Sequence, residues 1–564
     1  MRITNTMITN NTKSNINSNK LLVDKYNTQM TTQKKISKAS DNPVIAIRSL
    51  RLSTSLSHIN QYVNNNIPDA SAWMDVTETA LTNMKDLLTD IRTQCVNGST
   101  DTKNVGDRET ILENLKSLAE QVYAEGNADY AGKSVFTGYR TSSMLTFVEE
   151  ELETKYQIEQ SFDYRDLEEK RYYTGDVVVP EAITTTTEKC QTGIEENTYE
   201  RIRLAYNGDT TVNAFSYGFD YTDDNGTPDD TTDDTAKYLE FNFDGAGTLT
   251  TYTYTYNADG TKTVDTDANN NNNPTSELTD AQMEALGIKK PSFKVYESEQ
   301  AWEDASAQPP KNGTKTVGAD EIIYIEETGE FIFGKDIANN ISSNRASLDV
   351  DYTKTGFDKG ELRPEYYFNC TDITDAQNPV AYTKENQEIK YTIANNTSIT
   401  INTQADEVFD CDIKRDVDEL ISVVQKAMEA NEKVTKIKNM MSEAQYQDNA
   451  SQEMLQTYLD AAQKEADYAD DNLQKTYEHY ITRFDGYLET ANIAITNIGS
   501  VKNSLMLTQN RVENQQMTIE ELKSDNEDRD ISDIIIDYYA SYNAYQSSLT
   551  AAGKLGKSSL LDYI

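Results

Sequence analysis

Two histidines, four cysteines and ten prolines are all that this 564-residue chain holds, and each scarcity closes off a class of function. With only His58 and His479 there is no HExxH pair, so zinc-hydrolase chemistry of that pattern is excluded. A Ser–His–Asp triad would have to recruit a histidine from a helical stretch, where an ordinary surface or seam residue is the plainer reading. GxGxxG and GxxxxGK[ST] are absent, so neither a dinucleotide nor a P-loop site is expected. Cys95, Cys190, Cys370 and Cys411 form no CxxC pair, and free thiols are expected ahead of a disulfide framework. Positive charge is scarce too: 52 Lys and Arg stand against 94 Asp and Glu, a formal net charge of -42. A surface of that sign repels nucleic-acid phosphate and acidic lipid headgroups. No run approaches the roughly 20 apolar residues that cross a bilayer. The opening MRITNTMITNNTKSNINSNK lacks the apolar core of a signal peptide. The expectation is therefore no nucleic-acid or membrane partner, and residence in the cytoplasm or export by a route that reads no such signal.

Proline is not only rare but confined. Pro43 and Pro68 are the only two in the first 150 residues, and none follows Pro379. Helices can therefore run long at both ends. Apolar residues at Leu56, Ile59, Val63, Ile67, Ala70, Met74, Thr77, Leu81, Met84, Leu88, Ile91 and Cys95 alternate spacings of three and four, a heptad seam. A helix from Pro43 would run about 50 residues, or about 75–80 Å. Pro43 suits its first turn, with Ser40 and Asp41 as caps. Pro68 predicts a kink or short break. A further helix is expected over residues 108–125. Near the other end Ile481, Phe484, Leu488, Ala491, Ile495 and Ile498 form a seam that continues through Leu505, Val512, Ile519 and Leu522. The last stripe is Ile531, Ile535, Tyr538, Tyr542, Tyr545, Leu549 and Ala552. A closed bundle would show the same stripes. Their position at the two extremes of the chain favours pairing of the ends with each other, or with neighbouring subunits, as an elongated coiled-coil-like rod.

Charge gives the same indication. Residues 1–38 carry seven basic groups and one acidic, and residues 520–564 carry nine acidic and four basic, so the ends attract each other. The first 40 residues are rich in Asn, Thr and Ser, with a thin stripe at Ile16, Val23 and Met30. Their intrinsic helicity is marginal, and order is expected only against partners.

The middle reads as strand and turn. LTTYTYTYNADG (249–260) alternates tyrosine and threonine, while 321–334 and 390–403 look like hairpins about Thr328–Gly329 and Asn395–Asn396. DYTDDNGTPDDTTDD (220–234) fits no EF-hand loop and reads as a solvated acidic insertion, as does the run Asn269–Asn273. With 94 acidic residues some carboxylate pair is inevitable, so none signals glycoside hydrolysis. Neither a catalytic residue nor a cofactor or metal site is expected.

The ends resemble a known family. MRIT (1–4) and QKKISKASDNPVIA (33–46) are similar to the N-terminal region of flagellins and flagellar hook-associated proteins. Two departures stand out: lysine at 34 and 35 where glycine is commoner, and Asn42 in place of a second aspartate. FTGYRT (136–141) resembles the FxGxxT segment of the type 3 hook-associated (FlgL) family, the hook–filament junction proteins. DRDISDIIIDYYASYNAYQSSLTAAGKLGKSSLLDYI (528–564) is similar to that family's terminus, down to its closing SLLDYI with Leu560 and Leu561. Loosely, YTIANNTSITINTQADEVF (391–409) is similar as well.

The resemblance implies an α+β fold with long paired N- and C-terminal helices and a β-rich central insertion. Its expected parts are an inner-tube helical segment (1–42), disordered in the monomer, and the N-terminal half of a helical rod (43–144). A β-rich outer region (145–412) of two small domains (145–265 and 280–412) would follow. The C-terminal half of the rod (413–525) and an inner-tube helix (526–564) complete the chain. It further implies a non-enzymatic adaptor joining the hook, through the type 1 hook-associated protein, to flagellin. Self-association in a ring and a cytoplasmic chaperone on the C-terminal helices belong to the same picture. So do export without a cleaved signal and an extracellular place in the bacterial flagellum. The assembly interface would comprise Ile16, Val23, Met30, Asp41, Pro43, Ile531, Ile535, Tyr538, Tyr542, Tyr545, Leu549, Leu560 and Leu561. A flagellin filament subunit or a surface-displayed binding protein are the alternatives.

Overall fold

The computed structural model describes residues 5–99, 105–184, 187, 190, 194–223, 235–257, 259–264, 283, 288–306 and 315–555. The fold is α+β, with long helices at both ends and a β-rich centre. It divides into two compact units, one of Met1–Met74, Lys390–Ile401 and Gly499–Ile564, the other of Asp75–Ile389 and Asn402–Ile498.

In the first unit α1 (Asn5–Thr32) is followed by a turn and α2 (Pro43–Gln61). Ahead of Pro68 the helix widens into a π-helical turn, Tyr62–Asn66, before α3 (Ile67–Gly98) continues. Proline has no N–H and its ring crowds the carbonyl four residues back. Here the Ile67 N–H reaches the Tyr62 carbonyl, five residues back. The wider turn absorbs Pro68 while the helical path continues, so the expected kink or break takes the form of a π-bulge. The seam keeps its phase across it: Ile59, Ile67, Ala70 and Met74 are buried. The hairpin β16 (Lys390–Ala394) and β17 (Thr397–Thr400) turns at Asn396, whose φ is 58°, as its Asn-Asn sequence predicts. Asn66 Nδ2 donates to Thr392 O at 2.6 Å. Ala394 packs with Ile59 and with Val512 of α8 (Asn449–Glu527). The chain ends its described part in α9 (Ile531–Leu555).

The second unit holds the rest of the seam. Thr77, Leu81, Met84, Leu88, Ile91 and Cys95 are fully buried, as are Leu115 and Val122 of α4 (Val105–Glu125). Beyond α5 (Glu299–Ser306) and α6 (Lys335–Asn344), α7 (Asp412–Ser442) packs against α4, and the α8 residues Tyr477, Tyr480, Phe484, Tyr487, Ala491 and Ile498 are buried as well. The C-terminal seam is thus centred on 484, 487, 491 and 494, with Ile481, Leu488 and Ile495 at its margins. Leu522 is exposed, a correction to the spacing argument.

Two sheets complete this unit. The larger has the order β15 (Val380–Tyr382), β14 (Asn369–Asp372), β3 (Glu151–Asp163), β13 (Ser347–Phe357), β6 (Thr210–Asp223), β7 (Thr235–Asp244), β8 (Leu249–Tyr256) and β9 (Lys262–Val264), the smaller β10 (Ser292–Tyr296), β11 (Glu321–Ile325), β12 (Glu330–Phe333), β5 (Glu195–Arg203) and β4 (Glu168–Thr174). In the larger sheet β3 pairs with β13, antiparallel. In the smaller sheet β12 (Glu330–Phe333) pairs with β5 (Glu195–Arg203). Each sheet therefore draws strands from both sides of residue 265, and the expected division into domains 145–265 and 280–412 is wrong. Alternation reveals which face of a strand is buried but not which distant strand it joins. Phe215, Tyr217, Phe241 and Phe243 of the larger sheet and Phe331 and Phe333 of the smaller share one core. In β8 (Leu249–Tyr256) the threonines Thr251 and Thr253 are buried and the tyrosines lie half-exposed. The Asp-rich segment after Asp223 and Asn269–Asn273 lie outside the described residues.

Candidate functional site: the terminal helices

Poor helix formers make up much of α1, yet their hydroxyls are satisfied within it. Thr12, Thr28, Thr31 and Thr32 each donate to the carbonyl four residues back, at 2.8–3.0 Å. What propensity withholds, packing supplies: α1 lies along α9. The segment expected to be disordered before assembly is helical here, with a partner from its own chain. Its seated face is half-buried at Thr12, Ile16, Asn19, Val23, Tyr26 and Met30, with Gln29 buried. On α9 the matching line is Ile534, Tyr538, Ser541, Tyr545, Ser548 and Ala552. Asn19 Nδ2 donates to Ser548 Oγ at 2.8 Å, so the seam is part polar.

A corner ties these helices to the next pair. Gln33 adopts a left-handed φ of 55° and ends α1. The Lys35 N–H donates to Glu527 O at 2.6 Å, and the Arg529 N–H to Gln33 O at 3.0 Å. Lys34 Nζ lies 3.2 Å from a Glu527 carboxylate oxygen and also meets Asp528. The bond from Lys34 holds Asp528 below the usual carboxylate range. Ser49 donates to Glu527, and Asn526 Nδ2 donates to Ile45 O at 3.1 Å. Arg529 donates to Gln29 Oε1 at 3.0 Å, pairs with Asp537 and sits 5.5 Å from the Tyr26 ring centre.

The segment 33–46 forms this corner. Pro43 is the first residue of α2, but the cap is Asn42, whose Oδ1 accepts from the Val44 and Ile45 N–H groups. Asp41 instead accepts from Ser37 and Lys38 N–H at 3.1 and 3.0 Å, closing the preceding turn. The expectation of Ser40 and Asp41 as helix caps is corrected: the side chain next to the helix reaches the orphan amides first.

Of the expected interface residues, Ile16, Val23, Met30, Tyr538 and Tyr545 lie in the α1–α9 seam. Ile531, Ile535, Tyr542 and Leu549 fall on an adjoining face that this pairing leaves exposed. Ile536 (66% exposed), Tyr539, Leu21 (69%), Val44 (76%), Ile47 and Leu50 widen the uncovered apolar surface. Leu560 and Leu561 lie outside the described residues. Gln29, Asn42, Asn526, Glu527 and Arg529 were not anticipated; the charged run 525–530 between two apolar stripes was their only signal.

FTGYRT closes a turn of the second unit. Phe136 meets Phe409 edge-on at 5.0 Å, Gly138 has φ 59°, and the Tyr139 N–H donates to Gln387 Oε1 at 2.7 Å. A Cβ on Gly138 would come within 2.3 Å of that oxygen. Both conditions call for glycine in FxGxxT.

His58 is exposed, and burial lowers the pKa of His479. Among the described residues, Asp410, Cys411 and Asp412 form the one grouping of metal-ligating types. Burial and the two flanking carboxylates hold the Cys411 thiol well above its ordinary value, which suits neither a ligand nor a nucleophile. None of the four cysteines forms a disulfide, and no described helix is long and apolar enough to cross a membrane.

No curated protein matches the chain. Among solved structures, it is similar to a Vibrio parahaemolyticus chain described as a flagellar hook-associated protein, at 11% identity and TM-score 0.33. That alignment covers 86% of this chain and 100% of the other. Flagellar hook-associated protein-3 of Legionella pneumophila gives 9% and 0.26, covering 84% and 96%. FlgL of Xanthomonas campestris gives 10% and 0.20, covering 83% and 99%. Residues 3–141, from the first helix to FTGYRT, match the model for the bacterial flagellin N-terminal helical region.

Proposed function

We propose that the chain is a non-enzymatic structural adaptor of the bacterial flagellum, joining the hook, through the type 1 hook-associated protein, to the flagellin filament. The observation that carries this reading is the end-to-end construction of the first unit. The helices α1 and α9 pack against each other and leave a further apolar face uncovered, as a subunit that packs against copies and neighbours requires. The flagellin-type N-terminal region gives the setting, and the SLLDYI ending favours the junction over the filament. Subunits would form a ring through Ile531, Ile535, Tyr542 and Leu549. A cytoplasmic chaperone would cover the same residues before export.

Deleting the gene tests this. Bare hooks, with flagellin released into the medium, are the expected result; normal filaments would rule out an essential junction role. The match to a flagellin region supports a second reading, a filament subunit. Immunogold label along the filament, rather than at its base, would favour it.

A further inference from the structure

β4 and β5 are antiparallel neighbours, and their pairing closes at Thr174 and Glu195. Strands paired in this way are commonly joined by about two to five residues. Here the chain leaves at Gly175, whose φ of 87° suits glycine, and returns only at Ile194. The described stretch 175–184 holds neither helix nor strand. Side chains of α7, of α8 and of the turn between them hold it instead.

The hold is concentrated at two residues. The Val177 N–H donates to Glu465 Oε2 of α8 at 3.0 Å, and Val177 is 2% exposed. Lys433 of α7 pairs with Asp176 and donates to Glu465 Oε1 at 2.8 Å. Asp176 and Glu465 share a hydrogen bond as well. Farther along, the Ile183 N–H meets Tyr446 Oη at 3.4 Å, a weak contact.

Two carboxyl groups here face one ammonium and one backbone amide. They can bond to each other only when one of them carries a proton. Glu465 is 1% exposed, whereas Asp176 keeps 37% of its side chain in solvent, so the proton belongs on Glu465. Burial, then the bond with Asp176, accordingly raises the Glu465 carboxyl to about 7. The other groups around it bring no second cation. Tyr173 of β4 and Cys190 are raised by burial first and by Glu465 next, and Glu429 of α7 acts on the same Tyr173 phenol. Lys464, the neighbour on α8, turns to Ile194 O at 2.8 Å. Ionised, Glu465 would leave a net negative charge buried against Asp176.

We propose that residues 175–184 form a pH-operated strap, fastened to α7 and α8 while Glu465 is protonated and released about Gly175 as it ionises and repels Asp176. The sign follows from linkage: a carboxyl raised in the fastened form favours fastening while protonated, and that contribution is lost as pH rises from about 4.5 through about 7. Asp176, Lys433 and Glu465 also line a polar cavity of about 780 Å³, so release takes Asp176 out of its wall. The device does not rest on the junction reading.

Hydrogen exchange of the full-length chain tests this, read by mass spectrometry on peptides covering 175–184 and corrected for the intrinsic pH dependence of exchange. Protection of the strap should fall by at least about tenfold between pH 5 and pH 8. Amides of β13 should stay the better protected throughout. Glu465→Gln keeps an acceptor, offers Asp176 a donor and cannot ionise, so its strap should stay fastened. Asp176→Asn, at the more exposed position, should move the loss to lower pH. Level strap protection from pH 5 to pH 8 in the unaltered chain, or an equal fall in a folded Glu465→Gln chain, would overturn the proposal. So would strap protection equal to that of β13 at every pH, because exchange would then pass through global unfolding alone. A transition that stays in place in Asp176→Asn would remove Asp176 from the device.

Discussion

Lys34 and Glu527, 493 positions apart in the chain, hold each other at 3.2 Å. The contact joins the two corners at which the terminal helices turn back, and gives the opposite charges of the two ends a definite place. Lys34 remains 44% exposed on its side chain, so solvent screens the pair heavily. Lys34→Gln should cost less than about 1 kcal/mol, and a double-mutant cycle with Glu527→Gln should show a coupling that fades with added salt. Bonds from Ser49 and Lys34 outweigh burial and lower the Glu527 pKa, while the bond to Asp528 raises that of Lys34. The carboxylate contributions are present above their unfolded values and are lost as pH falls through the lower folded ones. That of Lys34 is present below its ordinary value and lost as pH rises through the higher folded one. Amide exchange in residues 33–46, followed between pH 3 and pH 11, checks both arms.

Asn42 should be the more sensitive part of the corner. Asn42→Ala removes both bonds to the first turn of α2 and should cost about 1 kcal/mol, whereas Asn42→Asp keeps an acceptor and should be close to neutral. Faster amide exchange at Val44 and Ile45 in the alanine variant alone is the measurement.

The uncovered face of α9 separates assembly from stability. Ile535→Ser with Tyr542→Ser alters side chains that are already exposed, so the monomer's unfolding free energy should move by no more than about 0.5 kcal/mol. Under the junction proposal the same variant fails to restore filaments to a deletion strain. Tyr538→Ala with Tyr545→Ala, on the seated face, should loosen α1 from α9, read as lost helical signal in the monomer.

Gly138→Ala places a side chain at φ 59° and against Gln387 Oε1. A loss of about 1–2 kcal/mol in urea unfolding is expected. Adding Gln387→Ala should recover the steric part but not the backbone part.

Glu465 gives the second unit a pH dependence. It is 1% exposed, accepts from Val177 N–H at 3.0 Å and Lys433 Nζ at 2.8 Å, and faces Asp176. Burial, then the bond with Asp176, pushes its pKa up to about 7. A raised carboxyl favours the fold while protonated, so its contribution declines as pH rises from about 4.5 to about 7, by about 1–3 kcal/mol. Glu465→Gln should flatten the change in urea midpoint between pH 5 and pH 8.

What could be read from residues alone was whatever repeats locally. Leu81, Leu88 and Cys95 recur on one helical face and are buried there. Asn395–Asn396 and Thr328–Gly329 sit where short turns need them. Pro68 announced a disturbance, but its form depended on which carbonyl Ile67 could reach. The pairing of β3 with β13 left no local trace, because strand alternation is the same whichever distant edge it meets. At the terminal site the stripe 531–552 was visible, while its division into a seated and an exposed face was not. Ile535 and Tyr538 belong to the same stripe in sequence, and only the position of α1 separates them. Asp41 was expected as a cap, and only the exact start of α2 gives that role to Asn42.

The pairing of β3 with β13 also sets a schedule. Gln157 and its partner Asp351 are 194 residues apart, so a chain appearing from its amino end offers β3 long before its neighbour exists. The larger sheet cannot close until β13 has emerged, and the corner at Lys34 waits for Glu527. Local helices can form early, but both units are completed only by late arrivals. Such a topology delays compaction until nearly the whole chain is free, which keeps a long polypeptide threadable for most of its emergence.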